Sequence, residues 1–564
     1  MKSPAQRREA LAAQHPEWEV RTISGQLDKA AQTDADKLLV IGNSRNYSYK
    51  EIVDWSRQLA SSMIAMGISP GDRVAIDLAN FPEFVALKYA IARAGAVCVP
   101  CNYLLRGGEL AYVLSQSGAK MLVTMDVFRG HDYLADLERP EGLETVVVIA
   151  SGEGNGDFGS DLSLQELCNA STQESDAELV RREAATDGND ISDIIYTSGT
   201  TGRSKGVMLT HDMVLRTAYS SALTRAFDDG RRILFAMPMY HVFGYVECLI
   251  AATFVGGAII PQAVFDPHEM LEIAEKQKAN EIVAVPMMTM KLIEAARERG
   301  FDSQHLHTIF NSGGINPPSI WAEINDVLRP RETVTGYGMT ETTASTTCTL
   351  PEDDESRLLT CNGGYKLAGV SGDPNIGGRV AEYKAIDPVT GSDLPSGQEG
   401  ELVTRGPIVT NGYYNKPGET KGAFTPDGWL RTGDLGLISA DGYLTLTGRI
   451  KETYRCNGEM VMPKEIEDLF SDHPSLAQAL VVGIPDPRVG EAGCLCIVPK
   501  PGAKPDTDAL IALCAKHLAR FKVPRHVLLL DASDIPLTVI GRPQKFKLAQ
   551  LAAKMLAAQQ GTEV

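Results

Sequence analysis

The chain lacks the features that would place it in a membrane, in a secreted disulfide scaffold or on nucleic acid. No run of about 18 apolar residues occurs, so no membrane-spanning helix is expected. The N-terminal stretch MKSPAQRREALAAQHPEW has no apolar core and is not a secretory signal, which favours a soluble, cytoplasmic protein. Ten cysteines in 564 residues are too few for a disulfide scaffold. With 54 Lys and Arg against 72 Asp and Glu, the net charge of −18 argues against nucleic acid or an anionic membrane surface as a general partner.

One pair of cysteines, Cys98 and Cys101, has C-x-x-C spacing. The pair lies inside the apolar run AGAVCVPCNYLL, and no second pair completes a zinc set. Two small core residues are therefore favoured over a redox or metal site.

The first part of the chain alternates strand-like and helical patterns. From about residue 35 to 345, short apolar runs with helical segments between them predict an α/β fold with mostly parallel sheets, arranged as two subdomains. The runs interpreted as buried strands are RVAIDL, AVCVPC, KMLVTM, TVVVIA, DIIY, RILFAM, EIVAVP and TIFNSGG.

The rest of the chain predicts a β-rich subdomain and a small C-terminal domain. From about 350 to 447 Gly, Pro and Asp are dense and apolar runs are short, which is typical of a β-barrel or sandwich. A new α+β pattern follows Gly448, after the charged linker GRIKETYRCNGE. We predict a large N-terminal domain over residues 1–448 and a small α+β domain over residues 449–564.

The most informative stretch is DIIYTSGTTGRSKGVMLTH, Asp193 to His211. A strand-like run leads into small hydroxyl and glycine residues, two basic residues and an amphipathic segment. Glycine lets a backbone approach an anion closely, hydroxyls add donors and Lys205 adds a point charge, so the stretch predicts a loop that wraps a triphosphate. Strand and helix patterns flank it tightly, which argues against a flexible linker. No G-x-x-x-x-G-K-S/T pattern occurs, which points away from the P-loop fold.

Further candidate segments follow in the chain: PMYHVFG (Pro238–Gly244), NSGGINPPS (Asn311–Ser319), TGYGMTETT (Thr335–Thr343), GWLRTGDLG (Gly428–Gly436) and GRIKE. Gly313 and Gly314 would allow close approach of the backbone to a ligand, and the Asp434 carboxylate can accept hydrogen bonds. Glu341 is a residue type that Mg²⁺ prefers beside phosphate oxygens. Each segment alone is weak: a lone histidine is usually a core residue, NSGG a turn, and Glu341 a helix N-terminal acid.

Together, and in this order, the segments resemble the adenylate-forming superfamily. This superfamily includes acyl-CoA synthetases, aryl-CoA ligases, luciferases and the adenylation domains of peptide synthetases. The resemblance covers the chain from about Tyr47 to Leu548. Ser204 stands where the family usually has proline, a departure that keeps Lys205.

The resemblance implies a role for each candidate residue. The phosphate loop would place Lys205 at the pyrophosphate end of ATP together with Thr197, Ser198, Gly199, Thr200, Thr201 and Gly202. The remaining implied nucleotide contacts are Gly313, Gly314, Gly336, Tyr337 and Gly338 on the adenine side, Thr340 at the α-phosphate, Asp434 at the ribose, and Arg449 at the ribose and phosphate. The other implied roles are His241 in the acyl pocket, Glu341 as Mg²⁺ ligand, Lys451 as hinge, and Arg455 and Gly458 as contacts to coenzyme A.

These roles imply an AMP-forming acyl-CoA synthetase. Transfer of a carboxylate onto the α-phosphate of ATP makes an acyl-adenylate with a good leaving group, and this step is mostly positioning and charge stabilisation. In the family a thiol, usually that of coenzyme A, then displaces AMP after the small domain rotates at the hinge. The implied small molecules are ATP, Mg²⁺, coenzyme A and a carboxylic acid.

The chain departs from the family near its C-terminus. The family carries P-x-T-x-S/T-G-K, and its lysine bridges the substrate carboxylate and the α-phosphate. Here the segment is PLTVIGRPQKFK, so Arg542 occupies the lysine position and Lys545 lies three residues on. Arginine is a wider planar fork than lysine, and loss of one well-placed donor typically costs about 10²–10³ in rate. Two versions stay open: Arg542 supports an ordinary two-step ligase, or adenylation is slow and the enzyme mainly converts a supplied acyl-adenylate.

Other functions also stay open at this stage. A loader of a separate carrier protein or a luciferase-like enzyme would use the same adenylation motifs. A non-catalytic nucleotide-binding protein is disfavoured, because Thr340, Glu341, Asp434 and Arg449 are all present. The acid is left open, and so is the oligomeric state, with a homodimer among the options. The apolar candidates for the acyl pocket are Phe243, Met287, Met288, Met290 and Met339, which are equally compatible with plain core packing.

Overall fold

A computed structural model describes residues 2–197, 204–314, 316–456, 459–537 and 543–559. Its helices, in chain order, are α1 (Pro4–Gln14), α2 (Ile23–Asp34), α3 (Tyr49–Ala65), α4 (Pro82–Arg93), α5 (Gly107–Ser117), α6 (Leu164–Cys168), α7 (Gln173–Ala185), α8 (His211–Thr224), α9 (Val242–Gly244), α10 (Pro267–Lys276), α11 (Pro286–Arg299), α12 (Ser319–Glu323), α13 (Glu355–Thr360), α14 (Pro417–Ala423), α15 (Pro463–Glu467), α16 (Thr507–His517) and α17 (Lys545–Gln559).

The strands are β1 (Leu38–Ile41), β2 (Asn46–Ser48), β3 (Arg73–Asp77), β4 (Val97–Pro100), β5 (Ala119–Met125), β6 (Val127–Phe128), β7 (His131–Asp132), β8 (Thr145–Ile149), β9 (Leu162–Ser163), β10 (Ile191–Thr197), β11 (Lys205–Thr210), β12 (Arg232–Phe235), β13 (Ala258–Pro261), β14 (Glu281–Ala284), β15 (Thr308–Asn311), β16 (Glu332–Val334), β17 (Gly336–Met339), β18 (Ala344–Cys348), β19 (Gly364–Tyr365), β20 (Glu382–Ile386), β21 (Gly400–Arg405), β22 (Leu430–Ile438), β23 (Leu444–Arg449), β24 (Tyr454–Cys456), β25 (Glu459–Val461), β26 (Leu476–Asp486), β27 (Gly490–Pro499) and β28 (His526–Leu529).

Two large sheets confirm the predicted α/β fold. Over the described residues, one sheet has the order β11-β10-β4-β3-β5-β8-β9 and the other the order β16-β15-β14-β12-β13-β1-β2. All neighbours in these sheets are parallel except the outermost pairs β10–β11 and β1–β2. Each of the eight apolar runs interpreted as a strand forms one. Helices cover these sheets, so their strands are buried on both faces and appear in the sequence as continuous apolar runs.

The β-rich and C-terminal predictions are confirmed as well. Strands β20 to β23 form an antiparallel sheet in sequence order, and β17, β18 and β19 form a second antiparallel sheet beside the predicted β-rich region. The C-terminal strands β24 to β28 form one mixed sheet. Its core clusters contain residues of α15, α16 and α17, so this part is a small α+β unit.

One local expectation was wrong. The segment after the phosphate loop does not enter a helix directly, because Lys205–Thr210 forms β11, antiparallel to β10 from Thr197↔Lys205 to Ile191↔Thr210. Val207 and Leu209 point into the core while Met208 between them is only partly buried, so the pattern has the period of a strand. Helix α8 begins at His211, with the Thr210 hydroxyl as its N-cap.

The ten cysteines are free and buried. Cys98 and Cys101 are part of the hydrophobic core, which confirms the interpretation as core residues. The part of the chain that the structure describes contains no group of three or more His, Cys, Asp or Glu arranged to hold a metal. It also contains no helix long and apolar enough to cross a membrane.

A buried ion pair fixes the strand that leads into the phosphate loop. The Lys88 ammonium on α4 donates to the Asp193 carboxylate on β10. Both side chains are buried, with 1% and 0% of their surface exposed. Ser192 donates to the same carboxylate at 2.7 Å, and the Tyr245 ring lies 4.3 Å from the Lys88 Nζ. Because a buried charge is costly without its partner, this pair ties α4, β10 and the segment after His241 together.

We expect Lys88→Met to destabilise the fold strongly. The change leaves the Asp193 carboxylate buried and unpaired, which should lower the free energy of unfolding by about 3–5 kcal/mol. Denaturant unfolding followed by fluorescence measures this. The matched control is Lys50→Met, which removes an exposed ion pair with Asp54 and should change stability by about 0.5 kcal/mol or less. Equal effects of the two substitutions would contradict the role given to Lys88.

Candidate active site

The sequence motifs meet at the carboxyl ends of the parallel strands. Strand β10 ends at Thr197, immediately before the phosphate loop, and β15 ends at Asn311, where NSGG begins. Strand β12 precedes the Pro238–Gly244 motif, and β16 precedes Thr335. Open α/β sheets place ligands at this edge, so the topology brings the motifs after β12, β15 and β16 to the same edge of one sheet, while β10 belongs to the other.

Asn80 joins the edges of the two large sheets. It follows β3 of one sheet, and its amide donates to the carbonyls of Met237 at 2.9 Å and Gln262 at 3.0 Å after β12 and β13 of the other. Its carbonyl accepts from the N–H of Met239 at 2.8 Å. These three bonds hold the segment that leads to His241. The His241 Nδ1 accepts from the Phe243 N–H at 3.2 Å, so the neutral ring carries its proton on Nε2.

The predicted adenine loop packs against the acyl-pocket candidates. Gly313 has φ +86°, and a Cβ there would lie 3.3 Å from Val285 and 3.6 Å from Phe243. A Cβ on Gly314 would lie 3.1 Å from Pro286. The Ser312 hydroxyl donates to the Gly336 carbonyl at 2.6 Å and so connects this loop to the TGYGMTETT motif.

Gly336 and Gly338 are required by strand pairing. A Cβ on Gly336 would lie 2.4 Å from the Thr347 carbonyl oxygen, and one on Gly338 would lie 1.8 Å from the Ala344 carbonyl oxygen. Both carbonyls belong to β18, which pairs with β17. The close approach of the two strands explains these glycines without a nucleotide, so their role in nucleotide binding stays a prediction.

The acidic turn after β17 is tight and buried. Residues Thr340–Thr342 form a 3₁₀ turn, and Thr343 follows with φ +61°. The Thr340 and Glu341 side chains are buried, and burial raises the pKa of Glu341, while the Tyr413 hydroxyl and Lys205 act in the opposite direction. The turn is therefore a rigid support for a carboxylate in a dry place.

Asp434 lies at the centre of a second cluster of polar side chains. Its carboxylate accepts from the Tyr337 hydroxyl at 2.6 Å and pairs with the Arg449 Nε at 2.8 Å. Asp434 and Arg449 are direct partners across β22 and β23, which fixes their separation. Burial, together with the Asp434 charge, raises the pKa of Tyr337 well above its ordinary value, so the phenol stays a donor. The three residues predicted at adenine, ribose and phosphate are thus in contact.

Cations from separate segments gather near Glu341. Burial lowers the pKa of Lys451, and the positive charges of Lys205 and Arg449 lower it further, while Glu341 partly offsets them. Lys205 begins β11, Arg449 ends β23, and Lys451 follows in the hinge segment. Like charges repel, so this arrangement is suited to an anionic ligand that lies among them.

The sequence analysis missed the segment that joins these groups, Ile408–Tyr414. The Tyr413 hydroxyl donates to the Glu341 carboxylate at 3.0 Å, and the Lys205 Nζ lies 4.7 Å from the Tyr413 ring centroid. The Thr410 N–H donates to the Glu341 carbonyl at 2.8 Å. In the sequence this segment is only part of the turn-rich GPIVTNGYYN, and no pattern distinguishes Tyr413 from Tyr414.

The structure does not test the assignment of several predicted residues to this site. Ser198, Gly199, Thr200, Thr201, Gly202, Gly458 and Arg542 lie outside the described residues. Arg455 is exposed on β24, and its N–H donates to Glu491 at 2.8 Å. Lys545 is buried with its Nζ 2.8 Å from Glu467 and 3.1 Å from Glu452, so it is held by two carboxylates. These contacts argue against Lys545 as a substitute for the missing lysine.

The acyl-pocket candidates divide into two groups. Met287 and Met290 at the start of α11 are 41% and 39% exposed, whereas Phe243, Met288 and Met339 are partly buried. Phe243 stands edge-on to Phe310 with ring centroids 5.3 Å apart. Of the partly buried side chains, Phe243 is next to the NSGG loop, since a Cβ on Gly313 would lie 3.6 Å from its ring.

The residues present fit a magnesium ion that is shared with a substrate. Glu341 is a buried carboxylate beside Lys205, and the described chain contains no larger cluster of ligands. Mg²⁺ is usually held by one or two carboxylates together with substrate phosphates and keeps several waters. The donor set at Glu341 is of that kind.

The chain is similar to known proteins over most of its length. The model for AMP-binding enzyme matches residues 27–414, and the model for the AMP-binding enzyme C-terminal domain matches residues 465–542. The chain is 34% identical to "Putative acyl-CoA synthetase YngI" of Bacillus subtilis strain 168, over 95% of this chain and 97% of that protein. It is 31% identical to a propanoyl:CoA ligase of Mycobacterium tuberculosis strain H37Rv, whose acyl group carries a methyl-dioxo-octahydroindene ring system, over 94% and 99% of the two chains. A crystal structure of ATP-bound MatB from Rhodopseudomonas palustris is similar in fold, with a TM-score of 0.81, 27% identity and coverage of 94% and 99%.

We expect Asn80→Asp to disrupt the site. A carboxylate in place of the amide would put a negatively charged oxygen against the carbonyl oxygens of Met237 and Gln262 and leave a buried charge uncompensated. This should lower the free energy of unfolding by about 3 kcal/mol or more. The denaturant midpoint of the large domain measures the loss. Asn43→Asp, an exposed change of the same chemistry, is the control and should leave the midpoint unchanged. An Asn80 variant as stable as the control would contradict the assigned bonds.

Proposed function

The chain belongs to the AMP-binding enzyme family as an AMP-forming acyl-CoA synthetase, and we propose that Lys205, Thr340, Glu341, Asp434 and Arg449 form its adenylation site. One observation carries this proposal. The charges of Lys205 and Lys451 act on the Glu341 carboxylate, and Asp434 is in contact with Tyr337 and Arg449. This is the arrangement that a nucleotide triphosphate needs: cations for the phosphates and a fixed carboxylate for the ribose hydroxyls.

In the proposed first step the chain positions ATP and an acid for attack at the α-phosphate. Asp434 accepts from the ribose hydroxyls, and Arg449 and Lys205 contact the phosphates. Thr340 donates to the α-phosphate, and His241 lies beside the carboxylate of the acid. Mg²⁺ bound by Glu341 would supply further neutralisation of phosphate charge. The acid oxygen bonds to the α-phosphorus, and pyrophosphate leaves. Such catalysis is mostly positioning and stabilisation of charge.

The proposed second step uses the small domain. Lys451 is the hinge, and Arg455 and Gly458 contact coenzyme A after rotation. The thiol attacks the acyl carbon, AMP leaves, and the thioester is released. The Lys545 ion pair with Glu452 supports this assignment, because it ties the start of α17 to the segment directly after the hinge. The C-terminal sheet, α17 and Glu452 would therefore rotate together.

We propose an apolar acyl group for the acid. Gly313 and Gly314 face the uncharged side chains of Phe243, Val285 and Pro286. Methionine adapts to different shapes, so aliphatic, aryl and polycyclic acids remain candidates within this class.

We expect AMP and acyl-CoA to form when the protein is mixed with ATP, Mg²⁺, coenzyme A and a panel of apolar acids. Chromatography of both products measures the reaction, and omission of each component is its control. Product from synthetic acyl-adenylates, but from no free acid, would select the alternative ligase that is impaired in adenylation. Transfer of label to a carrier protein but not to coenzyme A would select the loader.

We propose that Arg542 supports adenylation, since it preserves the cation at this position. Arg542→Lys should then change acid-dependent pyrophosphate exchange by only a few-fold, because both side chains donate to anionic oxygens. Arg488→Lys, an exposed change in the same domain, is the matched control. A gain of about 10²–10³ in the Arg542 variant alone would show that arginine limits the first step.

A further inference from the structure

Segment Ile408–Tyr414 is bonded to both halves of the proposed adenylation site. On one side, the Tyr414 N–H donates to the Gly206 carbonyl at 2.8 Å, and the Met208 N–H donates to the Gly412 carbonyl at 3.2 Å. On the other side, the Thr343 hydroxyl donates to the Ile408 carbonyl at 2.7 Å. The Thr410 N–H adds its bond to the Glu341 carbonyl. The segment therefore fixes β11, which begins at Lys205, relative to the acidic turn.

The Tyr413 side chain lies between the two charges that this segment connects. Its hydroxyl donates to the Glu341 Oε1 at 3.0 Å, and its ring face lies 4.7 Å from the Lys205 Nζ. Within the described ranges Lys205 and Glu341 form no ion pair with each other. Opposite charges at a partly buried site attract each other, so contacts with other groups have to hold each of them in place.

We propose that Tyr413 is a positioning residue that keeps Glu341 and Lys205 apart and oriented for their separate ligands. The hydroxyl bond holds the carboxylate, and the negative face of the ring holds the ammonium. The carboxylate then stays available to a divalent cation and the ammonium to a phosphate. This inference rests on the proposed function, because it takes Glu341 as the cation ligand and Lys205 as the phosphate contact.

The two contacts of Tyr413 can be separated by substitution. Tyr413→Phe removes only the hydroxyl and keeps the ring beneath Lys205. Tyr413→Leu removes both contacts while it keeps an apolar side chain. The matched control is Tyr414→Phe, since Tyr414 is the next residue, faces Arg73 at 5.9 Å and packs in a different cluster with Tyr196.

The test measures ATP binding by calorimetry across a magnesium titration, with no turnover required. In this titration ATP binds more tightly as Mg²⁺ is added, and the Mg²⁺ concentration that gives half of this effect is measured. Tyr413→Phe should raise that concentration by about tenfold, since a hydrogen bond to a charged group is lost. Its ATP affinity in EDTA should stay at the wild-type value. Tyr413→Leu should also weaken binding in EDTA, by about two- to fivefold, because the cation–π contact is lost. Tyr414→Phe should match wild type in both conditions.

Glu341→Gln in the same titration distinguishes a failure of the inference about Tyr413 from a failure of the proposed function. If it shifts the magnesium dependence and Tyr413→Phe does not, the inference about Tyr413 is overturned and the proposed function stands. If Glu341→Gln leaves the dependence unchanged, the assignment of Glu341 under the proposed function fails and the inference fails with it. An equal defect in Tyr414→Phe would also overturn the inference, because the effect would then not depend on contact with Glu341.

Discussion

The buried ion pair of Lys88 and Asp193 is the contact on which the position of β10, and of Thr197 at its end, depends. Strand β10 pairs with β4 at Asp193↔Cys98, so the charged residue lies where β10 joins the rest of its sheet. The register of β10 with β11 then sets Thr197 opposite Lys205. A displacement of Asp193 would carry both residues with it. A shift of β10 along its neighbours would separate the Asp193 carboxylate from the Lys88 ammonium and leave both charges buried and unpaired, so the ion pair disfavours other registers.

The active-site region has a charge character opposite to that of the whole protein. The chain carries a net −18, yet Lys205, Arg449 and Lys451 approach closely enough that their charges depress the pKa of Lys451. Lys205 comes from β11, whereas Arg449 and Lys451 come from one segment at the end of β23. Repulsion among them is balanced by Glu341, by Asp434 and by the ring of Tyr413. A polyanionic substrate therefore gains from local contacts rather than from a long-range field, and its binding should owe little to steering by the surface.

The sequence predicted the strands and the motif positions well, since both follow from strong local signals. Buried parallel strands need continuous apolar runs, and glycine-rich loops mark strand ends. It was wrong about β11, because Lys205–Thr210 follows a loop of small polar residues and its alternation is short. It could not find Tyr413 or Asn80, whose roles arise from contacts with residues far along the chain. It assigned Gly336 and Gly338 to nucleotide binding, which stays a prediction, and it did not reveal that strand pairing also requires these glycines.

The burial of all ten cysteines matters for an enzyme whose co-substrate is a thiol. Burial disfavours the thiolate, as for Cys348, whose pKa rises to about 12. A protein thiol on the surface would exchange with activated thioesters or form mixed disulfides with coenzyme A. With its sulfur hidden, the chain offers the acyl group a single kind of thiol acceptor. The absence of exposed thiols thus contributes to the selectivity for the thiol co-substrate. A cysteine engineered on the surface would be the one exposed thiol and could be labelled selectively.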